Sequence, residues 1–384
     1  MKRSAGGGDK KGRAWRGIDA TVFRRRLMKW YGENARALPW RGTSDPYAIW
    51  VSEIMLQQTR VAAVIDYYHE FLRRFPTLVS LALAEEAEVL AAWSGLGYYN
   101  RARMLHKAAQ FIVGERKGQL PVSAAELRTL PGIGEYTSAA IASIAFGESV
   151  AVVDGNVERV ILRLTGHASE TTAAARAAVR LQAQKLMPQA ATAMASTAVN
   201  AAGDHNQAMM ELGATVCLPR APLCSQCPVR AQCSTRGEHV TTPRSVQRSL
   251  PVACLLDLRK RGAVTEVLLE RRSANAVVMP AMFELPRVPI DAVEGLEPAL
   301  RVRHSITNTN YYVQVYSPRR LAPAGGGRPP GGTVNALRSA VPAASGDLQW
   351  VRAARLSGMP LTGLARKILQ RLQIMEKPHI AVAE

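Results

Sequence analysis

Two acidic residues lie in sequence contexts that give their carboxyl groups different expected charge states. Glu53 lies among the apolar residues of segment 45–61, where a carboxyl group has a raised pKa and can act as an acid at neutral pH. Asp154 directly precedes an amphipathic helical pattern, whose dipole favours an ionised carboxylate. One protonated and one ionised carboxyl group are the pair that cleavage of a glycosidic bond requires. Structural interpretations also stand, because Glu53 could complement the dipole at a helix start and Asp154 could simply cap a helix.

Four of the five cysteines have a spacing that is typical of metal ligands. Cys217, Cys224, Cys227 and Cys233 form a C-x6-C-x2-C-x5-C pattern, and Cys254 stands apart. Four thiolates at short spacing bind either Zn²⁺ or a [4Fe–4S] cluster, and spacing alone does not separate the two. In a reducing compartment such a group indicates metal binding rather than disulfides.

Segment 130–146 predicts a helix, a tight turn and a second helix. Pro131 cannot extend the first helix, and Gly132 and Gly134 permit a tight turn with accessible amides. Amides at a helix N-terminus bind a phosphate oxygen without reading base sequence, as an anchor on a nucleic-acid backbone must. A glycine–proline turn between packed helices is also common as a purely structural connection.

The composition predicts a basic protein with nucleic acid as its partner. The chain has 384 residues and a formal net charge of +19, and polyanions attract such a field through counterion release. A merely soluble basic surface is the alternative. No apolar run reaches the ~18 residues of a membrane span, and the basic, glycine-rich N-terminus lacks the apolar stretch of a secretory signal. We therefore expect a cytoplasmic protein without a membrane segment.

The chain length and a change in sequence character predict two folded parts. Helix-length amphipathic blocks dominate up to the cysteines, and strand-like runs follow a polar linker. Runs 251–258 and 264–270 are expected to pair as a hairpin, with further strands at 301–306 and 311–316 and a closing helix at 361–372. The predicted divisions are a basic disordered tail (1–17), a helical domain (18–216), a cysteine loop (217–233), a linker (234–250), an α+β domain (251–375) with a flexible excursion (322–332), and a tail (376–384).

Several motifs together resemble one known family. The cysteine pattern is similar to that of the helix-hairpin-helix DNA glycosylases of the endonuclease III superfamily, and the closer resemblance is to their adenine glycosylase (MutY) branch. The motifs cover about residues 18–233 and are LPW (38–40), PYAIWVSEIMLQQTRV (46–61), GLGYYNRARMLHKAA (95–109), LPGIGEYT (130–137), DGNVERV (154–160) and NQAMMELGATVC (206–217). The resemblance implies a mainly α, helix-hairpin-helix glycosylase region with a [4Fe–4S] cluster on the four cysteines.

The resemblance also implies the catalytic residues. Glu53 matches the acid that protonates adenine N7, and Asp154 matches the carboxylate that faces the sugar. Tyr136 and Asn156 match neighbours that support the reacting sugar. These roles agree with the charge states that their sequence contexts predict for the two carboxyl groups.

A second set of residues is implied to contact the DNA. Leu56 and Gln58 match residues that are pushed into the base stack when adenine is flipped out. Tyr98 matches a wedge beside 8-oxoguanine, and Arg41 and Gln207 match contacts to the extruded base. The remaining implied DNA contacts are Gln57, Thr59, Gly132 and Gly134.

The implied reaction is base excision repair, in which adenine mispaired with 8-oxoguanine or with guanine is hydrolysed from double-stranded DNA. The bifunctional endonuclease III type carries a lysine in the hairpin, whose amine attacks the sugar. Tyr136 stands at that position, and because a phenol cannot form an imine we expect an enzyme without β-lyase strand cleavage. We also expect the protein to be a monomer. The alternatives are a bifunctional glycosylase for pyrimidine lesions, which the missing lysine disfavours, and a non-catalytic iron–sulfur DNA-binding protein, which Glu53 and Asp154 disfavour.

The C-terminal region resembles the family more weakly. Segment 279–288 is similar to the entry motif of the Nudix-like domain that recognises 8-oxoguanine in this family, and the glutamate-rich box of Nudix hydrolases is absent from the sequence. Ile306, Thr307 and Asn308 stand where the family commonly has a Phe-Ser-His loop that touches the lesion. Thr307 keeps a hydroxyl and Asn308 keeps hydrogen bonding, but aromatic packing is lost, which leaves the strength of the 8-oxoguanine preference open.

Overall fold

The structure, a computed structural model, describes residues 17–170, 172–189, 200–239, 248–276, 278–306, 308–317, 336–342 and 346–375. Some sequence predictions lie outside these residues: nearly all of the N-terminal tail, the middle of the linker, Thr307, the 322–332 excursion and the C-terminal tail. Among the described residues, none of the helices is both long enough and apolar enough to cross a membrane.

The described elements before residue 240 are helical, which confirms the mainly α prediction for this region. The α-helices of the described chain are α1 (Ala20–Asn34), α2 (Pro46–Leu56), α3 (Val61–Arg74), α4 (Leu78–Leu83), α5 (Glu86–Trp93), α6 (Asn100–Glu115), α7 (Ala124–Leu127), α8 (Glu135–Phe146), α9 (Gly155–Thr165), α10 (Ala173–Leu186), α11 (Ala201–Thr215) and, near the C-terminus, α12 (Gly363–Arg371). A 3₁₀ turn, Arg230–Gln232, lies within the cysteine loop.

The chain divides into two compact units, and the boundary between them falls inside α2. The first unit comprises Met1–Glu53 and Gln119–Pro243. Its main core joins α1, α9, α10 and α11 through buried apolar side chains such as Phe23 and Ile161. A smaller apolar cluster, which includes Ile49 of α2 and Ala140 of α8, brings these two helices together. This packing places the side chains of Glu53 and Tyr136 on facing helices.

The second unit comprises Ile54–Gly118 and Arg244–Glu384. Helices α3 to α6 therefore group with the C-terminal region, whereas the sequence prediction assigns them to the helical domain. The domain limits derived from the sequence stay a prediction.

The C-terminal region is α+β, as predicted, with two mixed or antiparallel sheets. Its strands are β1 (Arg248–Leu255), β2 (Leu258–Arg261), β3 (Val264–Arg271), β4 (Phe283–Glu284), β5 (Arg287–Val288), β6 (Leu300–Ile306), β7 (Thr309–Tyr316) and β8 (Asp347–Arg352). One sheet has the order β5-β1-β7-β6, and in the other β2, β3 and β4 are adjacent and β8 also pairs with β3. The two sheets share an apolar core that includes Val267 and Val313. Helix α12 adds Ile368 and Leu369 to this core.

The predicted hairpin between 251–258 and 264–270 is wrong in its first strand. Strand β3 pairs with the short β2, in the register Arg261↔Val264, around Gly262 at φ +61°. Strand β1 ends at Leu255 and pairs parallel with β7 and antiparallel with β5. Its C-terminal half is buried on both faces, and apolar alternation cannot identify the partner of such a central strand. The predicted strands at 301–306 and 311–316 and the closing helix are confirmed as β6, β7 and α12.

Candidate active site

Glu53 is a buried carboxyl group on α2. Its residue is 4% exposed, and the neighbouring Ile49 and Trp50 are 1% exposed. Glu53 lies in the C-terminal half of α2, where the helix dipole disfavours a negative charge. The interpretation that Glu53 complements the dipole at a helix start is therefore wrong, because its position in α2 does not stabilise its ionised form.

Tyr136 links Glu53 to the helix-hairpin-helix segment. Its hydroxyl donates a hydrogen bond to Oε2 of Glu53 and lies 3.5 Å from Sδ of Met210 on α11. Burial, together with the weaker effect of the negative charge of Asp154, raises the pKa of Glu53 to about 7 against the opposing effects of Tyr136 and Arg41. Burial and the adjacent Glu53 raise the pKa of Tyr136 well above its ordinary value, so the phenol stays neutral. The result is a carboxyl group that can hold or release a proton near neutral pH.

Asp154 is the N-cap of α9, as the capping interpretation predicts. Its Oδ1 accepts a hydrogen bond of 2.7 Å from the backbone amide of Val157, and its Oδ2 accepts one of 2.9 Å from Nδ2 of Asn156. The carboxylate thus has a fixed orientation at the positive end of a helix dipole. Capping does not exclude a catalytic role, because a fixed carboxylate at this place is also suited to stabilising a cation.

The sequence analysis missed the residues that hold Asn156. Arg159 donates from Nη2 to Oδ1 of Asn156 at 2.9 Å and to the carbonyl of Gly213 at 2.7 Å. A Cβ atom at Gly213 would lie 2.7 Å from Cβ of Asn156, so glycine is required for α11 to approach α9 this closely. Both residues lie inside the motifs DGNVERV and NQAMMELGATVC, which is the only sequence signal that points to them.

Arg41 and Gln207 lie around a buried glutamate that the sequence analysis also missed. Glu211 is 0% exposed and accepts hydrogen bonds of 2.7 Å from Nη2 of Arg41 and from Nε and Nη2 of Arg36. Arg41 also lies 5.5 Å over the ring of Tyr31, whose hydroxyl donates to Oε1 of Gln207 at 3.4 Å. Burial alone would raise the pKa of Glu211, but the hydrogen bonds from Arg36 and Arg41 outweigh it and lower the pKa to about 2.

Substitution Glu211→Ala is expected to lower the free energy of unfolding by about 3 kcal/mol, because it leaves two arginines without their buried counter-charge. The difference from the wild type should persist at neutral pH and shrink as pH falls from 4.5 towards 2, since ionised Glu211 contributes its stabilisation only above its lowered pKa. Urea unfolding at several pH values measures both effects. Glu135→Ala removes an exposed ion pair with Arg180 and should change stability by less than about 0.5 kcal/mol. Equal effects of the two substitutions would contradict the prediction.

The hairpin before α8 needs glycine at one of its two predicted positions. Gly132 has φ +72°, a conformation that residues with a Cβ atom rarely adopt. Gly134 is the N-cap of α8 in extended backbone at φ −91°, and no heavy atom within 4 Å would meet a Cβ atom there. The tight turn is therefore confirmed, with Gly132 as its conformational requirement.

The residues with an implied role inside the DNA helix lie in the second unit. Leu56 is the last residue of α2, and Gln57, Gln58 and Thr59 form the turn that follows. Gln58 is exposed at φ 56°, and Tyr98 is 43% exposed at φ 48°. Both turns therefore present a side chain to solvent from left-handed backbone. Asn308 is exposed in the turn between β6 and β7, and its carbonyl accepts a hydrogen bond of 2.9 Å from the amide of Arg248.

The four clustered cysteines line a single cavity of about 30 Å³. Arg163 closes one side of it by donating to the carbonyls of Leu218 at 2.6 Å and Pro219 at 2.9 Å, and its Nη1 lies 3.4 Å from Sγ of Cys217. The convergence of four thiols fits a thiophilic metal or cluster. Within the described residues, however, no three His, Cys, Asp or Glu side chains are already arranged as a closed metal site.

Comparison with known proteins identifies the family of the chain. Residues 51–188 match the HhH-GPD superfamily of base excision DNA repair proteins. The chain is 39% identical over 281 residues to the adenine DNA glycosylase of Mycolicibacterium smegmatis. The aligned region covers 72% of this chain and 87% of that protein. It is 45% identical over 229 residues to the adenine DNA glycosylase of Homo sapiens. That aligned region covers 57% of this chain and 40% of the human protein.

A solved structure is also similar to part of the chain. A thermostable thymine-DNA glycosylase, 29% identical, superposes with a TM-score of 0.50 over 56% of this chain and 96% of its own. The chain spans only 40% to 42% of the length of the human, mouse and rat relatives. The helical fold, the matched superfamily and the relative from Mycolicibacterium smegmatis show that the chain belongs to the adenine DNA glycosylase family of HhH-GPD base excision DNA repair proteins.

Proposed function

We propose that the protein removes adenine from double-stranded DNA where it is mispaired with 8-oxoguanine or guanine. The observation that carries the proposal is the pairing of a buried Glu53, whose pKa is raised to about 7, with the fixed carboxylate of Asp154. Glu53 protonates N7 of adenine and makes the base a good leaving group. Asp154 stabilises the positive charge that develops on the sugar as the N-glycosidic bond breaks.

Flipping of the adenine precedes this reaction, because neither an acid nor a water molecule can reach the glycosidic bond inside a stacked duplex. Leu56 and Gln58 enter the stack, with Gln57 and Thr59 beside them, and Tyr98 wedges next to the opposite base. Arg41 and Gln207 contact the extruded adenine, and the hairpin of Gly132 and Gly134 holds the DNA backbone. The exposure of Gln58 and Tyr98 on left-handed turns supports these roles.

The enzyme is proposed to be monofunctional and monomeric. Tyr136 occupies the hairpin position where a bifunctional glycosylase has a lysine, and its hydroxyl is engaged with Glu53. A neutral phenol cannot form the Schiff base that β-elimination needs. The product is therefore an abasic site in an intact strand. We propose that the enzyme acts in the cytoplasm, the compartment that we expect from the sequence.

Recognition of 8-oxoguanine is assigned to the C-terminal α+β region, which we propose to be Nudix-like. Asn308, in the turn before β7, contacts the lesion together with Thr307. Because the loop has no aromatic side chain at these positions, we expect a smaller ratio of activity on A:8-oxoguanine to activity on A:G than an aromatic loop would give.

One set of assays tests the function. Duplexes with adenine opposite 8-oxoguanine, adenine opposite guanine, or an oxidised pyrimidine are incubated with the protein and divided, with and without alkali. Cleavage at adenine that depends on alkali, without a borohydride-trapped adduct, supports the proposal. Cleavage at the pyrimidine without alkali would support a bifunctional glycosylase, and binding without cleavage would support a non-catalytic DNA-binding protein.

The four clustered cysteines are proposed to hold a [4Fe–4S] cluster. The purified protein is expected to show an absorbance band near about 400 nm from sulfur-to-iron charge transfer. Cys227→Ser should lose the band, and Cys254→Ser, which changes a buried thiol outside the cavity, should keep it. A colourless protein that contains zinc would contradict the iron–sulfur assignment.

A further inference from the structure

Arg101, near the start of α6, bridges two separate turns of the second unit. Its guanidinium group contacts six backbone or hydroxyl oxygens, four in segment 54–59 and two in segment 96–97. Nη1 donates to the carbonyls of Ile54 at 2.8 Å, Met55 at 3.0 Å and Gln57, and Nη2 donates to Oγ1 of Thr59 at 3.2 Å and to the carbonyls of Gly97 at 3.2 Å and Leu96 at 3.5 Å. One side chain thus joins segment 54–59 to segment 96–97.

Charge and shape both favour arginine at this position. The last carbonyls of a helix lack partners within the helix and attract a cation, and α2 ends at Leu56. The guanidinium lies 5.6 Å from the ring of Trp93 and 5.5 Å from the ring of Tyr98, within the range of cation–π contacts. Burial lowers the pKa of Arg101 to about 10, so the side chain remains charged at neutral pH. A lysine could not hydrogen-bond to both segments at once, because its donors sit on one compact ammonium and not on a planar fork.

Both turns contain a non-glycine residue in left-handed backbone. Gln58 has φ 56° and Tyr98 has φ 48°, and such strained conformations persist only where surrounding contacts determine them. Arg101 binds the carbonyl that precedes each of these residues, those of Gln57 and Gly97. The same guanidinium therefore sets the backbone position of two exposed side chains.

We propose that Arg101 is a positioning residue that fixes Gln58 and Tyr98 relative to each other for entry into the DNA duplex. The inference rests on the proposed function, in which these two side chains replace and support the flipped base. Arg101 acts through the two turns and does not touch the reacting sugar. Its loss therefore slows the flipping of a paired adenine much more than the excision of an adenine that has no pairing partner.

The test compares Arg101→Lys with Lys107→Met, which removes an exposed charge from the same helix. Flipping is followed by the fluorescence of 2-aminopurine next to the target adenine, and excision is followed under single-turnover conditions. For Arg101→Lys we expect about a tenfold to 100-fold loss of excision from paired A:8-oxoguanine duplex and a matching loss of the fluorescence rise. Excision of adenine opposite an abasic-site analogue should stay within about threefold of the wild type, as should all rates of Lys107→Met.

Two results would overturn the inference: unchanged fluorescence and excision in Arg101→Lys, or an equal loss on paired and unpaired adenine. If Arg101→Lys does not fold, Arg101→Met provides the same comparison, because it removes the hydrogen bonds to both turns without leaving an uncompensated charge in the buried site. It should lower the fluorescence rise on paired duplex more than the excision of unpaired adenine, and equal effects would reject the proposal. A wild-type protein that excises no adenine from either substrate would instead reject the proposed function.

Discussion

Glu53→Gln is expected to slow adenine excision by about 10³-fold while leaving the affinity for DNA unchanged, because general acid catalysis contributes roughly 10²–10⁴-fold. Glutamine has nearly the same shape as the protonated acid and can still accept a hydrogen bond from Tyr136, so the packing of α2 against α8 is preserved. It has no proton to give to the leaving base. Single-turnover excision and equilibrium binding to an A:8-oxoguanine duplex measure the two quantities separately.

The pH dependence of the wild type gives a second measurement of the same role. Glu53 must be protonated to act as the acid, and its pKa is raised to about 7, so the excision rate should fall as pH rises through about 7. The residual rate of Glu53→Gln should lack this step. Glu135→Gln, an exposed change in the first turn of α8, serves as the control and should keep the wild-type profile. A wild-type level of excision in Glu53→Gln would remove Glu53 from the reaction.

The local features of the site could be predicted from the sequence because they depend on near neighbours in the chain. The N-cap at Asp154, the glycine turn at Gly132 and the apolar surroundings of Glu53 each follow from residues within one or two helical turns. The helix assignment corrected one alternative, since Glu53 lies towards the C-terminal end of α2 rather than at its start. The sequence predicted a raised pKa for Glu53, and the structure supplied the hydrogen bond between Tyr136 and Glu53.

The features that could not be predicted depend on contacts between distant segments. Glu211 is recognisable as an ion-pair centre only when α11 places it beside Arg36 and Arg41. The partner of β1 is likewise set by the sheet in which it is central, and its apolar run is compatible with several partners. Arg101 resembles an ordinary exposed helix residue in sequence, and its role emerges from acceptors on two turns. The role of a long side chain such as that of arginine becomes apparent only from the groups that it contacts in the folded structure.

Asp154→Asn is expected to separate the two roles proposed for this position, which are capping of α9 and stabilisation of the sugar cation. Asparagine is as good an N-cap as aspartate, so the hydrogen bond to the amide of Val157 can be kept and the free energy of unfolding should change by less than about 1 kcal/mol. Its amide carries no charge to stabilise the sugar cation. We therefore expect excision to slow by about 10²–10³-fold, the usual loss when one preorganised electrostatic group is removed.

The matched control for this prediction is Asp19→Asn. Asp19 caps α1 in the same way, accepting hydrogen bonds of 3.0 Å from the amides of Thr21 and Val22, and it is a solvent-exposed cap. Urea unfolding should show small and similar changes for the two variants, whereas only Asp154→Asn should lose excision. If Asp154→Asn excised adenine at the rate of Asp19→Asn, its carboxylate would be a helix cap alone, and the developing positive charge would have to be stabilised by the remaining polar groups of the site.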